Sequence, residues 1–337
     1  MITNIAYDKF QTLILSAGEN CSDLHITTNH NCFYRIDGTL SPVHPPVIFN
    51  NEEICALLDK LLYNKNKQLL YQKRAVDLSS TIKNHRLRIS IYKQNNETAL
   101  AVRLIKPNIN SLENDSAYPD ILKILVKKTN GLILITGPSG AGKSTTLASM
   151  IKYRAEYSPC HIITLEDPIE YLLTSQKSLI HQREYGRDFF SFSQALKNAL
   201  RQDPDILLIG EIRDKPTMQA ALTAAQTGHL VLSTLHTANV PESITRIESL
   251  FSEKKQNMIR QELSTALQGI ISQKLLLRKT GGRIPAMEIL LSTDAVRNLI
   301  VSGKPQQISS IIQTNKKIGM QTMTMSIASL KQKNFID

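Results

Sequence analysis

The chain has 337 residues, 42% hydrophobic and 20% charged, with 14 Gly and 13 Pro, the composition of a soluble globular protein rather than a fibre or a disordered tail. At roughly 100–200 residues per domain, two compact domains fit. Lys and Arg total 40 against 29 Asp and Glu, a net charge of +11 that suits nucleic acid, anionic lipid or an acidic protein without choosing among them.

The chain opens with a predicted amphipathic helix over about 5–18. Asp8 and Glu19 break its apolar run and no basic region precedes it, so it is not a secretory signal, and a cytoplasmic location is expected. DLHIT and CFYRIDGTL alternate like strands around an Asp37-Gly38 turn. Pro42, Pro45 and Pro46 then break the chain, and EEICALLDKLL reads as a helix starting after Asn50 or Asn51. The Asn/Lys/Gln-rich stretch 64–73 reads as a solvated helix end. VDLSSTI, HRLRISIYKQ and TALAVRLI are three successive strands. Residues 1–107 thus form a small α+β domain, and the polar, aperiodic stretch 108–117 is predicted as a linker to a second domain over 118–337.

In that second domain YPDILKILVKKT is a helix leading through Gly131 into the strand LILIT, the loop GPSGAGKS and the helix TTLASMIKYRAEY. That order is half of an α/β unit with a parallel sheet. HIITLE (161–166), DILLIG (205–210) and LVLSTLH (230–236) are further strands, with helices around 192–200 and 217–225. Four buried strands alternating with helices predict a P-loop ATPase core. After about 240 the pattern turns mostly helical, including KKQNMIRQELSTALQGIISQKLL and STDAVRNLIVSG, and a helical C-terminal part is placed from about 281 with RIPAMEIL as a strand-like exception. Apolar runs such as Gly131–Thr136 fall far short of the ~18 residues that span a bilayer. Cysteines 21, 32, 55 and 160 form no C-x-x-C pair, so a reducing compartment and no structural zinc are expected.

Gly137, Pro138, Ser139, Gly140, Ala141, Gly142, Lys143 and Ser144 match G-x-x-x-x-G-K-[ST] between a predicted strand and a predicted helix, with Thr145 next. Glycines there let successive backbone N–H groups face phosphate oxygens, and the helix N-terminus adds partial positive charge. Lys143 can reach the β- and γ-phosphates while Ser144 offers a hydroxyl to magnesium, so ATP and Mg2+ are expected. Glu211 ends the strand DILLIG and the pair Glu166-Asp167 ends HIITLE. In a parallel sheet, strand carboxyl ends carry the ligand chemistry, and either Glu166 or Glu211 can polarise the attacking water. His229 and His236 bracket LVLSTL seven residues apart. His236, at the carboxyl end, is placed to sense the γ-phosphate. Arginines that could supply charge to phosphoryl transfer are Arg86, Arg88, Arg103, Arg183, Arg187, Arg201 and Arg213.

SDLHIT, YRIDGTL, ITGPSGAGKSTTLASMI, ITLEDPIEY, HQREYGRD, ALRQDPDILLIGEIRD and TGHLVLSTLHT, taken in this order, resemble the successive signatures of the secretion ATPase superfamily that includes GspE and PilT. The resemblance is greatest to the PilT-like retraction ATPases of type IV pili. It implies a ring of six subunits, each with an N-terminal PAS-like domain and a C-terminal RecA-like ATPase domain. By the same resemblance Lys143 and Ser144 are the phosphate-loop residues, and Glu166 and Asp167 lie in the acidic box with Glu166 as water activator. Glu211 becomes the magnesium-side glutamate, joining Ser144 as a metal-binding residue, and His229 and His236 belong to the histidine box. Thr145, Asp167 and His229 join the nucleotide-binding set, and Arg88 and Arg103 lie in stretches that serve nucleotide across a subunit interface.

The resemblance further implies an inner-membrane platform protein and other pilus ATPases as partners, with peripheral association at the inner face of the inner membrane. AVRNLI at 295–300 resembles a C-terminal motif that matters for retraction. Assembly ATPases resembling PilB or GspE carry an extra N-terminal domain and a four-cysteine zinc motif, neither of which is read here. Gln226 stands where a glutamate is usual, and Ala238-Asn239 where small hydroxyl residues are usual. Two alternatives stand beside pilus retraction. ATPases of type IVB secretion or conjugation systems share much of the pattern. A nucleic-acid translocase would share the core, but no RNP, KH, HTH or zinc signature supports a nucleic-acid partner.

Overall fold

The computed structural model describes residues 2–18, 20–62, 64–83, 85–105 and 109–337. They fall into two units: one holds the described residues up to 105 together with Pro168–Leu172, the other Ile109–Asp167 and Leu173–Asp337. The predicted domain end at 107 and linker start at 108 lie outside the described residues.

Unit 1 is built on an antiparallel sheet of β1 (Cys21–Thr27), β2 (Phe33–Ile36), β3 (Thr39–Pro42), β4 (Ala75–Ile82), β5 (His85–Gln94) and β6 (Glu97–Ile105), ordered β3-β2-β1-β6-β5-β4. Asp37 and Gly38 both adopt positive φ between β2 and β3, as a tight hairpin turn requires. Helices Ile2–Ser16 and Asn51–Leu61 cover one face, the second capped by Asn50 and Glu53 in a reciprocal box. The stretch 64–73 is a separate helix, Asn64–Lys73, rather than the end of another. Leu87, Ile89 and Ile91 of β5 join Phe10, Ile14, Leu24 and Leu57 in the core. By strand alternation, Arg86 and Arg88 therefore take the other face.

Unit 2 has a seven-stranded sheet: β7 (Gly131–Thr136), β8 (His161–Glu166), β9 (Leu179–Glu184), β10 (Ile206–Ile209), β11 (Leu230–Leu235), β12 (Leu267–Leu277) and β13 (Arg283–Leu291), ordered β13-β12-β7-β11-β10-β8-β9. Every pairing is parallel except β12 with β13. Alternate residues feed opposite layers. Leu132, Leu134, Leu207 and Ile209 join one core layer, while Ile133, Ile135, Ile206 and Leu208 join the other. That two-sided burial explains the continuous apolar runs.

Two strands depart from the expected pattern. The segment predicted as one long helix ends as a helix at Ala266 and continues as β12. Leu267, Gly269, Ile270 and Ile271 are buried there between β7 and β13, so tertiary pairing overrides the local pattern. For the same reason the C-terminal part from 281 begins with a strand, and its helices start at Asp294. β9, within the HQRE motif, is an edge strand with mixed burial and gives no apolar run. Within 108–117, Leu112–Asp115 forms a helical turn, Leu112 is buried in unit 2 and Ser116 is buried beside Met287, anchors that a polar composition conceals. Among the described residues no helix is long and apolar enough to cross a membrane.

Candidate active site

The carboxyl ends of β7, β8, β10 and β11 lie along one edge of the sheet, because parallel register aligns Leu165 with Ile209 and Leu235 with Thr136. Glu166 is the last residue of β8, and Gly137, Glu211 and His236 lie one or two residues beyond the ends of β7, β10 and β11. Four segments distant in sequence are thus delivered to one edge.

The loop 137–142 turns from β7 into the helix Lys143–Tyr157. Gly137, Gly140 and Gly142 all have positive φ, which folds the backbone back on itself. Gly137 is also constrained sterically: a Cβ there would stand 2.5 Å from the carbonyl oxygen of Gln273 on β12. At Gly140 a Cβ would meet nothing within 4 Å. Lys143 is 8% exposed and donates from Nζ to the carbonyls of Gly137 and Pro138 at 2.8 and 2.9 Å. Pro138, Ser139 and Ser144 are exposed, Thr145 is half-buried and Ala141 is buried. Positive-φ glycines, a lysine curled into the loop and an open helix N-terminus fit a polyphosphate.

Glu166 Oε1 accepts from Thr164 Oγ1 at 2.6 Å and from Gln182 Nε2 at 3.1 Å. Thr164, two residues earlier on the same strand, shares a side of β8 with Glu166, while Gln182 reaches across from β9. Gly210 packs beside Glu166, with a notional Cβ 3.4 Å from the Glu166 Cα. The half-buried Glu211 carboxylate pairs through Oε1 with Arg213 and through Oε2 with His236 Nε2 at 3.2 Å. The bond to Glu211 raises the Arg213 pKa, against desolvation and with further support from the charge of Asp167. Asp167 itself is exposed. An oxygen donor set of a serine hydroxyl and a glutamate suits magnesium.

His229 does not join this group. It precedes β11, at the opposite end of the strand from His236, and its Nδ1 lies 3.1 Å from the Ala224 carbonyl. A strand of this length separates the two histidines by roughly 20 Å, which removes His229 from the phosphate edge. In unit 1, Arg88 faces Ser79 on β4 and Arg103 on β6, and Arg103 in turn faces Asp23 on β1. Arg103 Nε pairs with Asp23 Oδ1 at 3.1 Å. Arg86 is buried and donates to the Ile169 carbonyl at 2.9 Å and to Thr81.

Sequence reasoning missed Gln182, Gln273 and Arg213 as partners of the site's backbone and carboxylates. Arg213 was one arginine among seven, and only its place two residues after Glu211 distinguished it. The two departures from the family pattern have local explanations. Asn239 caps the helix Val240–Ser249 by accepting from Glu242 N, and Gln226 donates to the Glu262 carbonyl.

The family profile described as Type II/IV secretion system protein matches residues 9–284. The chain belongs to this family, on its PilT-like side. It is 38% identical over 330 residues to the type IV pilus retraction ATPase PilT of Pseudomonas aeruginosa, covering 98% of this chain and 95% of that protein. It is 41% identical over 304 residues to a twitching motility protein of Neisseria gonorrhoeae, covering 90% and 81%. A crystal structure of the pilus retraction motor PilT with bound ADP superimposes with a TM-score of 0.88 at 39% identity, covering 97% of this chain and 94% of that one. The α/β core is therefore the RecA-like P-loop fold of these ATPases.

Proposed function

We propose that this chain is the ATP-hydrolysing motor that powers retraction of a type IV pilus, acting as a homohexamer on the cytoplasmic face of the inner membrane against a platform protein. The observation that carries the reading is the convergence of Lys143, Glu166, Glu211 and His236 on one sheet edge, in a chain alike along nearly its whole length to retraction proteins. Lys143, the backbone of Gly137–Gly142 and Thr145 hold the triphosphate. Ser144 and Glu211 would hold magnesium, which would supply positive charge to offset that of the phosphates. Glu166, oriented by Thr164 and Gln182, polarises the attacking water. His236 reports the γ-phosphate to Glu211.

Unit 1 is the PAS-like domain in this reading, and its Arg88 and Arg103 serve a neighbouring subunit's nucleotide. The decisive experiment is deletion of the gene followed by imaging of surface filaments. Excess long pili that no longer retract support the reading, whereas loss of pili assigns the chain to assembly. A type IVB or conjugation role predicts normal pili and a secretion defect.

A further inference from the structure

We propose that Glu288, on the antiparallel edge strand β13, is a positioning residue for ATP hydrolysis that sets His236 by clamping the chain segment that follows it. The inference rests on the reading of His236 given above and extends the machinery to a strand that carries none of the nucleotide-binding motifs.

The segment Thr237–Val240 is held at every residue. Thr237 Oγ1 lies 2.6 Å from Ser243 Oγ. Ala238 donates its N–H to Glu242 Oε2 at 2.8 Å, and its carbonyl accepts from Ser272 Oγ at 2.9 Å. Asn239 accepts through its side chain from Glu242 N at 2.9 Å and through its carbonyl from Ser243 Oγ at 2.8 Å. Val240 donates its N–H to Glu288 Oε2 at 3.0 Å. The side chain just ahead of this clamped segment is His236, turned toward Glu211.

Glu288 and Ser272 are direct partners in the β12–β13 ladder, so a single rung of the sheet grips both sides of Asn239. The same row continues inward: Ser272 pairs with Thr136, and Thr136 with Leu235. The rung that fixes the His236 arm is therefore continuous with the last residue before the phosphate loop. Glu288 is only 8% exposed. Burial pushes its carboxyl above the ordinary value, opposed by the hydrogen bond from Val240. A buried carboxylate needs a hydrogen-bonding partner, and Glu288 has one in the backbone N–H four residues past His236.

What the position requires is an acceptor at this reach, so an amide of equal length serves and a shorter carboxylate does not. The test compares Glu288→Gln, Glu288→Asp, His236→Ala and the double variant Glu288→Asp/His236→Ala, measuring kcat and KM for ATP. Glu288→Asp is expected to lower kcat about 10- to 100-fold, the scale of a small misplacement of a reacting group, with KM within about threefold. Glu288→Gln should stay within about threefold of wild type. In the His236→Ala background Glu288→Asp should cost less than about twofold more, because coupled residues are not additive. Additive losses, or a Gln variant as poor as Asp, overturn the positioning role. Unchanged turnover in His236→Ala alone overturns the underlying reading of the site, and the positioning role with it.

Discussion

Glu211 and His236 meet across the ends of β10 and β11, with Oε2 of the carboxylate 3.2 Å from Nε2 of the imidazole while Oε1 holds Arg213. One carboxylate therefore ties together two strand ends and an arginine. Replacing it with the isosteric amide keeps the shape and removes the charge. Glu211→Gln is expected to lower ATP turnover about 10²-fold or more, the scale seen when a group stabilising transition-state charge is removed. Nucleotide affinity should change by less than about threefold, because the carboxylate matters most as charge develops. Equal losses in equilibrium binding and in turnover would show that Glu211 holds the ground-state complex instead.

Two glycines of the phosphate loop separate steric need from conformational need. At Gly137 a Cβ would collide with the backbone carbonyl of Gln273 at 2.5 Å, and neither partner is a flexible side chain. Gly137→Ala should therefore displace the loop and abolish nucleotide binding. At Gly140, with φ at +77° and nothing within 4 Å, alanine meets only backbone strain, about 1–2 kcal/mol. Gly140→Ala should lower the melting temperature by a few degrees and still bind nucleotide. Thermal denaturation with and without ATP checks both, and a Gly137→Ala protein stabilised by ATP to the wild-type extent would refute the steric account.

The phosphate loop, Glu166 and Glu211 were legible because each sits at the end of a short apolar run in a pattern of fixed spacing. His236 was legible as the carboxyl end of LVLSTL, whereas His229 was grouped with it by the family resemblance alone although the two bracket that strand, and β11 places them at its opposite ends. β12 was hidden for a physical reason: a strand buried on both faces shows no alternation, and its LQGIISQKLLL continues the apolar spacing of the preceding helix. Gln273 and Glu288 were hidden because their partners, the Thr146 hydroxyl and the Val240 N–H, lie far away in sequence, and a polar residue in a strand gives no pattern for such a contact.

The four thiols should differ sharply in reactivity. Cys55 is exposed, whereas Cys21, Cys32 and Cys160 are buried. Burial also pushes the Cys32 thiol up to about 12, leaving roughly one molecule in ten thousand as the reactive thiolate at pH 8. Labelling of the native protein with a maleimide should modify Cys55 first, with Cys32 labelled only on unfolding. Rapid labelling of Cys32 by peptide mapping would contradict the core assigned to unit 1.

Arg103 is already engaged by Asp23 at 3.1 Å yet keeps 65% of its side chain exposed, and Arg88 stands beside it in the same row. If this row completes a neighbouring subunit's site, Arg88→Ala or Arg103→Ala should each reduce turnover without lowering the stability of the subunit. Mixing either variant with Lys143→Ala subunits should restore part of the hydrolysis, because some sites in mixed rings combine an intact loop with an intact arginine row. Mass measurement should show hexamers in the active sample. Monomers alone under active conditions, or no recovery on mixing, would remove the arginines from the composite site.

The helix Asp294–Val301 offers a way to separate output from chemistry. Val296 and Ile300 are buried, and Leu299 packs against the same core layer as the sheet. Arg297 and Asn298 are exposed, with Arg297 contacting Ser292 at 3.2 Å and the exposed Asp294 at 3.7 Å. Thr293 caps the helix by accepting from Val296 N, so the exposed pair contributes little to keeping it folded. Arg297→Ala with Asn298→Ala should therefore leave assembly and ATP turnover within about twofold of wild type, as surface changes usually do, while filament retraction in cells fails. Leu299→Asp should behave differently, costing about 1–3 kcal/mol by placing a charge against the core and lowering stability and hydrolysis together. Normal retraction by the Arg297/Asn298 variant would reduce the segment to a packed helix. Parallel loss of ATPase activity and retraction would make it a support of the catalytic core, since a surface that only transmits force has no reason to slow a reaction whose groups all lie at the ends of β7, β8, β10 and β11.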